Sequence, residues 1–185
     1  CTVEGKKVLM FCSNNYLGLS THPRVKEAAI KAVQSHGAGS GSVRPIAGTM
    51  DLHVELEMRL ARFKHAEASL VYQTGVAANS GLIPQLAGKG DLMISDELNH
   101  GSIIDGVRLS HAERAIYKHT DMQDLQRVLE EVEKHSPAYR RIVIITDGVF
   151  SMDGDIAPLD QIAKLGAEHG AMVFVDDAHG EGVLG

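Results

Sequence analysis

Four short polar segments of the sequence carry side chains that could bind a ligand or move a proton. Each follows a run of apolar residues typical of a β-strand, and they are Tyr72–Gly75, Ser95–His100, Thr146–Ser151 and Asp176–His179. In an open sheet of parallel strands, ligands bind in the crevice beyond the carboxyl ends of the strands. We therefore expect the four segments to converge on one crevice.

The pair Thr74-Gly75 stands where a predicted strand gives way to a predicted helix. The first N–H groups of a helix have no acceptor within it, and together with the helix dipole they attract anions. Gly75 would let the backbone approach a phosphate closely. The alternative is an ordinary helix start that is capped by the Thr74 hydroxyl.

The segment Asp176–His179 is the sharpest local signal, and it allows three interpretations. It could be a structural acidic turn with a surface histidine, or a metal site with Asp and His ligands. It could also supply a carboxylate that pairs with the protonated nitrogen of a heterocycle. A pyridine cofactor that acts as an electron sink needs such a partner, and a phosphate site at another strand end makes this third interpretation attractive.

His100 and Ser151 are the other candidate site residues. His100 lies just beyond a predicted strand end, where a flat imidazole could stack on a ring and donate hydrogen bonds. Ser151 precedes a turn signal and is either a turn hydroxyl or a hydrogen-bond donor to a cofactor. The remaining histidines are predicted to be solvated surface groups, among them His65, His111, His119, His135 and His169.

Strand and helix patterns alternate through most of the chain. Apolar stripes of helical spacing lie at Arg24–Gln34, Leu52–Phe63, Leu125–Val132 and Leu159–Gly166, and another helix is predicted to open at Thr74-Gly75 and to close at Gly88–Gly90. Strands are predicted at Ser69–Tyr72, Leu92–Ile94, Ala115–Tyr117, Ile142–Ile145 and Met172–Val175. This alternation favours an α/β fold with a mainly parallel sheet, in one domain over residues 1–185.

Composition excludes several classes of protein. The 185 residues are 44% hydrophobic and 23% charged, which is typical of a globular domain and not of a disordered chain. No apolar run approaches the about 18 residues of a membrane span. The net charge of −6 (18 − 24) argues against a nucleic-acid partner. Cys1 and Cys12 form neither a CxxC motif nor a disulfide framework, so a reducing, cytoplasmic location is predicted.

The glycine-rich segment Gly37–Ser42 invites comparison with a dinucleotide-binding loop. It follows a predicted helix and not a strand, and residue 42 is Ser where the motif requires Gly. A nicotinamide-dependent dehydrogenase is therefore a weak alternative. A flexible loop at the surface or at a subunit contact is the better interpretation.

Several longer motifs together resemble the α-oxoamine synthase family. They are Ser13–Leu19, Gly37–Arg44, Asp96–Gly106, Thr146–Asp155 and Val175–Gly185, and they cover the whole chain in order. The resemblance implies a pyridoxal-phosphate enzyme of fold type I, which has the aspartate-aminotransferase-like fold. Residues 1–185 would then be part of the large cofactor-binding domain, without its C-terminal remainder and the small domain. Family members are homodimers that condense an amino acid with an acyl-CoA and release CoA.

The resemblance also implies roles for individual residues around the cofactor. Gly75 and Val76 would give backbone N–H groups to the cofactor phosphate. His100 would act as a catalytic residue that stacks on the pyridine ring and helps to position the acyl group. Asp176 would pair with the ring nitrogen.

Three further implications concern the rest of the active site. Ser151 and His179 would bond near the phenolic oxygen of the cofactor, and Asn14 would lie near the substrate carboxylate. No metal is implied. The family's lysine, which forms the Schiff base and removes the α-proton, is expected a few dozen residues after the Asp176–His179 segment, so the 185-residue chain alone is predicted to be inactive.

The resemblance leaves the substrates open. Asp105–Leu109 and Asp121–Leu125 look most like glycine C-acetyltransferases, which use glycine and acetyl-CoA. The alternative is 8-amino-7-oxononanoate synthase, which uses L-alanine and a pimeloyl thioester. 5-Aminolevulinate synthase ranks third, since Val43 and Pro45 beside Arg44 cannot hydrogen-bond a second carboxylate through their side chains. A metal-dependent enzyme and a non-catalytic binding module are the remaining alternatives.

Overall fold

The computed structural model describes residues 1–134 and 137–184. The predicted surface histidine His135 and the last residue of the Val175–Gly185 motif therefore lie outside the described residues. The chain divides into two compact units, residues 1–71 and residues 72–185. In the part of the chain that is described, no helix combines the length and the apolar composition that a membrane span requires.

The first unit contains a small hairpin and two α-helices. Its elements are β1 (Thr2–Val3), β2 (Lys6–Lys7), α1 (Pro23–His36) and α2 (Asp51–Phe63). The strands pair antiparallel, and both helices lie where the apolar stripes predict them. Among the described residues, Ala61 is the one buried hydrophobic side chain of this unit, so most of the apolar core lies elsewhere.

The predicted strand at Ser69–Tyr72 is wrong, because its backbone is held by a side chain and not by a neighbouring strand. The Val71 N–H donates to Glu57 Oε1 at 3.0 Å, and Arg44 forms a bidentate ion pair with the same carboxylate at 2.5 and 3.1 Å. These hydrogen bonds lower the pKa of Glu57 to about 2. Leu70 is 63% exposed, so the apolar run is not packed as a core strand.

The second unit is a four-stranded parallel sheet with helices between its strands. Its elements are α3 (Gly75–Leu86), β3 (Leu92–Asp96), α4 (Gly101–Leu109), β4 (Glu113–Tyr117), α5 (Met122–Glu133), β5 (Ile142–Asp147), α6 (Leu159–Glu168) and β6 (Met172–Asp176). The strand order is β4-β3-β5-β6, and all neighbours are parallel. The predicted α/β fold with a parallel sheet is confirmed.

The two central strands bury both of their faces. Ile94 and Ile144 join a hydrophobic cluster that includes residues of α5 and α6. Met93, Val143 and Ile145 join a second cluster that includes residues of α3 and α4. Because successive residues of a strand point to opposite faces, the helix pairs cover opposite sides of the sheet, which explains the continuous apolar runs.

The register of the sheet brings three acidic residues to one edge. Asp96, Asp147 and Asp176 are the last residues of β3, β5 and β6, and Asp147 lies directly opposite Asp176. All three strands run in the same direction, so their carboxyl ends share that edge. The fold thus places the predicted polar segments of these strands together, as the crevice rule requires.

Candidate functional site

An open cleft of about 260 Å³ lies at the carboxyl edge of the sheet. It is lined by the Leu98–Gly101 segment after β3, by Asp147, and by the Phe150–Asp153 segment after β5. Two of the predicted site residues, His100 and Ser151, therefore line the same cleft. The polar segments after β3 and β5 converge as the sequence predicts.

Buried Asn99 joins the loop after β3 to the end of β5. Its Nδ2 atom donates to the Ile145 carbonyl at 2.8 Å and to Ser95 Oγ at 2.9 Å. Its Oδ1 atom accepts the Asp147 N–H at 2.9 Å. All the polar atoms of this amide are satisfied by neighbouring strands, so the residue before His100 is fixed relative to the sheet.

His100 is held at the start of α4 by both its backbone and its ring. The His100 N–H donates to Asp147 Oδ2 at 2.7 Å. Ring atom Nδ1 accepts the Ser102 N–H at 3.2 Å and lies 2.7 Å from Ser102 Oγ. Because Nδ1 acts as an acceptor, the neutral ring carries its proton on Nε2, which is then the donor available to a ligand.

Asp176 is connected to His100 through two buried polar side chains. Asn79 Nδ2 donates to Asp176 Oδ2 at 2.7 Å and to Ser102 Oγ at 2.9 Å. The other carboxylate oxygen of Asp176 accepts the Ala178 N–H at 3.0 Å. The structure therefore links the predicted ring-nitrogen partner to the predicted stacking imidazole.

Sequence reasoning missed Asn79 and Ser102. A signal for Asn79 was present, because it is a polar residue one helical turn after Gly75 and so lies on the same face of α3. Ser102 carried a weaker signal, since a serine in the first turn of a helix is common for capping reasons alone. Both side chains are buried, at 5% and 6% exposure.

Asp147 is a further residue of this site that the sequence did not single out. Its side chain is buried, and burial raises the pKa of Asp147 above its ordinary value. The hydrogen bond from the His100 N–H acts in the opposite direction, and the charge of Asp176 raises the pKa again. The edge of the sheet thus places two carboxyl groups within electrostatic reach of each other, with His100 beside them.

The start of α3 has the geometry that its sequence predicts. Thr74 Oγ1 accepts the Ala77 N–H at 3.0 Å, so the hydroxyl cap is present. The N–H groups of Gly75 and Val76 belong to the first turn, which has no acceptors within the helix. A Cβ atom on Gly75 would meet nothing within 4 Å, so the space beside this turn is open. Anion binding here remains a prediction.

The remaining predicted site residues, His179 and Asn14, are not among the residues that line the cleft. His179 lies in the turn after β6, and its charge lowers the pKa of the Asp147 carboxyl. Asn14 is an exposed residue of the first unit, and its role at the substrate carboxylate stays a prediction. Within residues 1–134 and 137–184, no group of three or more His, Cys, Asp or Glu side chains is arranged to hold a metal ion.

The prediction that His119 and His169 are solvated surface groups is wrong. The His119 ring is 15% exposed and lies between Asp96 Oδ1 at 2.9 Å and Asp155 Oδ2 at 3.3 Å. His169 is 14% exposed and contacts Glu133 at 2.7 Å. The acidic partners of both rings come from other segments of the chain, so the sequence around each histidine does not reveal that it is half-buried. His119 thereby ties the end of β3 to the loop that carries Ser151.

We expect the stability of the whole protein to decrease as the pH rises through the His119 titration. Burial disfavours the charged ring, but Asp96 and Asp155 outweigh it and raise the pKa of His119 above its ordinary value. A raised folded-state pKa gives stability that is fully present below the unfolded pKa of about 6.5 and is lost as the pH rises from there through the folded-state pKa. Urea unfolding at a series of pH values should show this loss in wild type and not in His119→Gln.

The matched control for this pH series is His111→Gln, because His111 is an exposed histidine. It should keep the wild-type slope of unfolding free energy against pH. A His119→Gln slope that equals the wild-type slope would contradict the assignment of this titration to His119.

Comparison with known proteins shows the family to which the chain belongs. The model of the family described as aminotransferase class I and II matches residues 6–185. The chain is 59% identical over 183 residues to an 8-amino-7-oxononanoate synthase of Symbiobacterium thermophilum, and 55% identical over 185 residues to one of Treponema denticola. These matches cover 99% and 100% of the chain but 46% of each relative, so the chain spans about half the length of the curated relatives that it matches.

Solved structures show the same similarity. A serine palmitoyltransferase variant, K265A from S. paucimobilis, with bound PLP and myriocin, matches with a TM-score of 0.89 and 34% identity. This match covers 94% of the chain and 44% of that protein. The 8-amino-7-oxononanoate synthase of Francisella tularensis matches with a TM-score of 0.70 and 28% identity, over 89% of the chain and 43% of that protein.

Proposed function

The chain belongs to the aminotransferase class I and II family, and from this premise we propose that the whole protein is a pyridoxal-phosphate-dependent acyltransferase. The resemblance to the α-oxoamine synthases and the predicted fold class, an incomplete large domain of fold type I, are confirmed by the relatives and the solved structures. The observation that carries the proposal is the hydrogen-bonded chain from Asp176 through Asn79 and Ser102 to His100 at the carboxyl edge of the sheet.

The residues present fit pyridoxal phosphate by the chemistry of their donors and acceptors. The open first turn of α3, at Gly75 and Val76, suits the phosphate. Asp176 would offer an acceptor to a protonated ring nitrogen, and His100 would offer a flat imidazole to stack on the ring. When bound, the cofactor withdraws electrons from the amino acid and so permits bond making at its α-carbon. Ser151 and His179 are proposed to bond near the phenolic oxygen.

The side chains of this chain would bind and orient the reactants. Asp176 would hold a proton at the ring nitrogen of the bound cofactor, because both of its oxygens act as acceptors, here from Asn79 and from Ala178. His100 offers its Nε2 proton as a donor to the acyl group, because Nδ1 is engaged by Ser102. The lysine that anchors the cofactor, the role of Asn14, a homodimeric assembly and a cytoplasmic location remain predictions for the whole protein.

We propose L-alanine and a pimeloyl thioester as the substrates. The support is the identity of 55–59% to relatives that are named 8-amino-7-oxononanoate synthase, which favours the sequence-based alternative over glycine C-acetyltransferase. The segments that suggested the acetyltransferase have structural roles. Asp105 pairs with Arg108 on the surface of α4, and Asp121 caps α5.

The test compares two substrate pairs in the full-length protein loaded with pyridoxal phosphate. We expect thiol release at least tenfold faster from L-alanine plus pimeloyl-CoA than from glycine plus acetyl-CoA. Faster release from the second pair would identify a glycine C-acetyltransferase instead. A protein that binds the cofactor and releases no thiol from either pair would overturn the choice of substrates.

A further inference from the structure

We infer that Asn79 and Ser102 are positioning residues that couple the Asp176 carboxylate to the His100 imidazole and fix the tautomer of that ring. This inference rests on the proposed function, since it assigns Asp176 and His100 to a pyridine cofactor. Neither Asn79 nor Ser102 is placed in contact with substrate. They act through the two side chains that they connect.

The direction of each hydrogen bond follows from the donors that are present. The Asn79 amide has two N–H groups, one directed to Asp176 Oδ2 at 2.7 Å and one to Ser102 Oγ at 2.9 Å. The opposite orientation of the amide would place its oxygen against a carboxylate oxygen, and two acceptors repel. Asp176 therefore determines which way the Asn79 amide faces.

The available donors also determine where the hydroxyl hydrogen of Ser102 points. Its Oγ atom accepts from Asn79, so its single hydrogen is free to donate to His100 Nδ1 at 2.7 Å. The Ser102 N–H also points to Nδ1 at 3.2 Å. Two donors meet this nitrogen, so it is the unprotonated one and Nε2 carries the proton of the neutral ring.

Burial makes this arrangement specific. Asn79 and Ser102 are 5% and 6% exposed, so water cannot readily replace a lost partner. The helices that carry them pack closely. A Cβ atom on Gly106 of α4 would lie only 2.8 Å from the Asn79 carbonyl oxygen. A change at Asp176 is therefore transmitted to His100 through the buried side chains of Asn79 and Ser102 and not through solvent.

Two substitutions in the whole protein test separately the two ends of the hydrogen-bonded series that runs from Asp176 to His100. Asn79→Leu removes one of the two donors to Asp176, and it should weaken pyridoxal-phosphate binding at least about tenfold. Ser102→Ala leaves the bond between Asn79 and Asp176 in place, so cofactor affinity should stay within about threefold of wild type. The hydroxyl donor to Nδ1 is lost and only the longer backbone N–H contact of residue 102 remains, so Ser102→Ala should raise the fraction of His100 that is protonated at Nδ1 without making it complete.

The readouts are cofactor affinity by absorbance titration and the ring-nitrogen signals of ¹⁵N-histidine-labelled protein, assigned with His100→Gln. Ser110→Ala is the matched control, because Ser110 ends the same helix and its hydroxyl donates to the Val107 carbonyl, away from His100. Thermal melting checks that each variant folds. If Asn79→Leu does not fold, Ser102→Ala still tests the tautomer.

The inference is supported if Ser102→Ala shifts the His100 signals toward Nδ1 protonation while Ser110→Ala does not. It is overturned if wild type shows the Nδ1-protonated ring, or if Ser102→Ala leaves the signals unchanged. The tautomer is measured without cofactor, so its outcome is separate from the proposed function. That function fails by itself if the whole wild-type protein does not bind pyridoxal phosphate.

Discussion

Replacement of Asp176 with asparagine should lower the turnover of the whole, cofactor-loaded protein by about a thousandfold. A neutral amide does not stabilise a proton on a pyridine nitrogen as a carboxylate does, so the electron-withdrawing power of the ring is lost. Proton positioning by a side chain contributes about 10²–10⁴-fold to rate in enzymes, which sets the size of the effect. The substitution conserves shape, and the single amide oxygen can still accept one of the two N–H groups, from Asn79 or from Ala178, so the fold should persist.

The measurement is turnover at saturating cofactor, together with the absorbance spectrum of the bound cofactor. Asp160→Asn is the charge-matched control, because Asp160 lies in the first turn of α6 and not at the sheet edge. It should retain wild-type turnover. An Asp176→Asn protein that binds the cofactor and turns over within fivefold of wild type would refute the assignment of Asp176 to the ring nitrogen.

The sheet and its acidic edge could be predicted because both depend on local patterns. Continuous apolar runs such as Ile142–Ile145 identify strands that are buried on both faces, and the crevice rule then places the residues that follow. Asp147 and Asp176 end adjacent strands in the structure, as this reasoning requires. Predicting these strands from their apolar runs does not require information about which helices pack on the sheet.

The connection between His100 and Asp176 depends on contacts between distant residues, so no local pattern reveals it. Asn79 bonds to side chains 23 and 97 positions away, and it meets them only after α3 and α4 pack on the same face of the sheet. The surface prediction for His119 fails for the same reason, since its partners come from the end of β3 and from the loop after β5. In each case a polar residue with an unremarkable local sequence gains its role from tertiary structure.

The packing of α3 against α4 offers a test that depends on the fold alone. A Cβ atom on Gly106 would lie 2.8 Å from the Asn79 carbonyl oxygen and 3.0 Å from Ile83 Cβ. A backbone atom cannot rotate away, so Gly106→Ala must push the two helices apart. Overpacking of this kind costs about 1–3 kcal/mol. We therefore expect a lower melting midpoint, although alanine alone would favour a helix over glycine by about 1 kcal/mol.

Gly101→Ala provides the comparison that isolates the steric cause. It adds the same methyl group to the same helix, where no atom lies within 4 Å, so the melting midpoint should stay unchanged or rise slightly. Equal midpoints for the two variants would contradict close helix packing at Gly106. If Gly106→Ala also weakens pyridoxal-phosphate binding, the displaced Asn79 explains it, because a shift of α3 moves the donor that Asp176 shares with Ser102. Helix packing and cofactor binding would then be coupled through one buried amide.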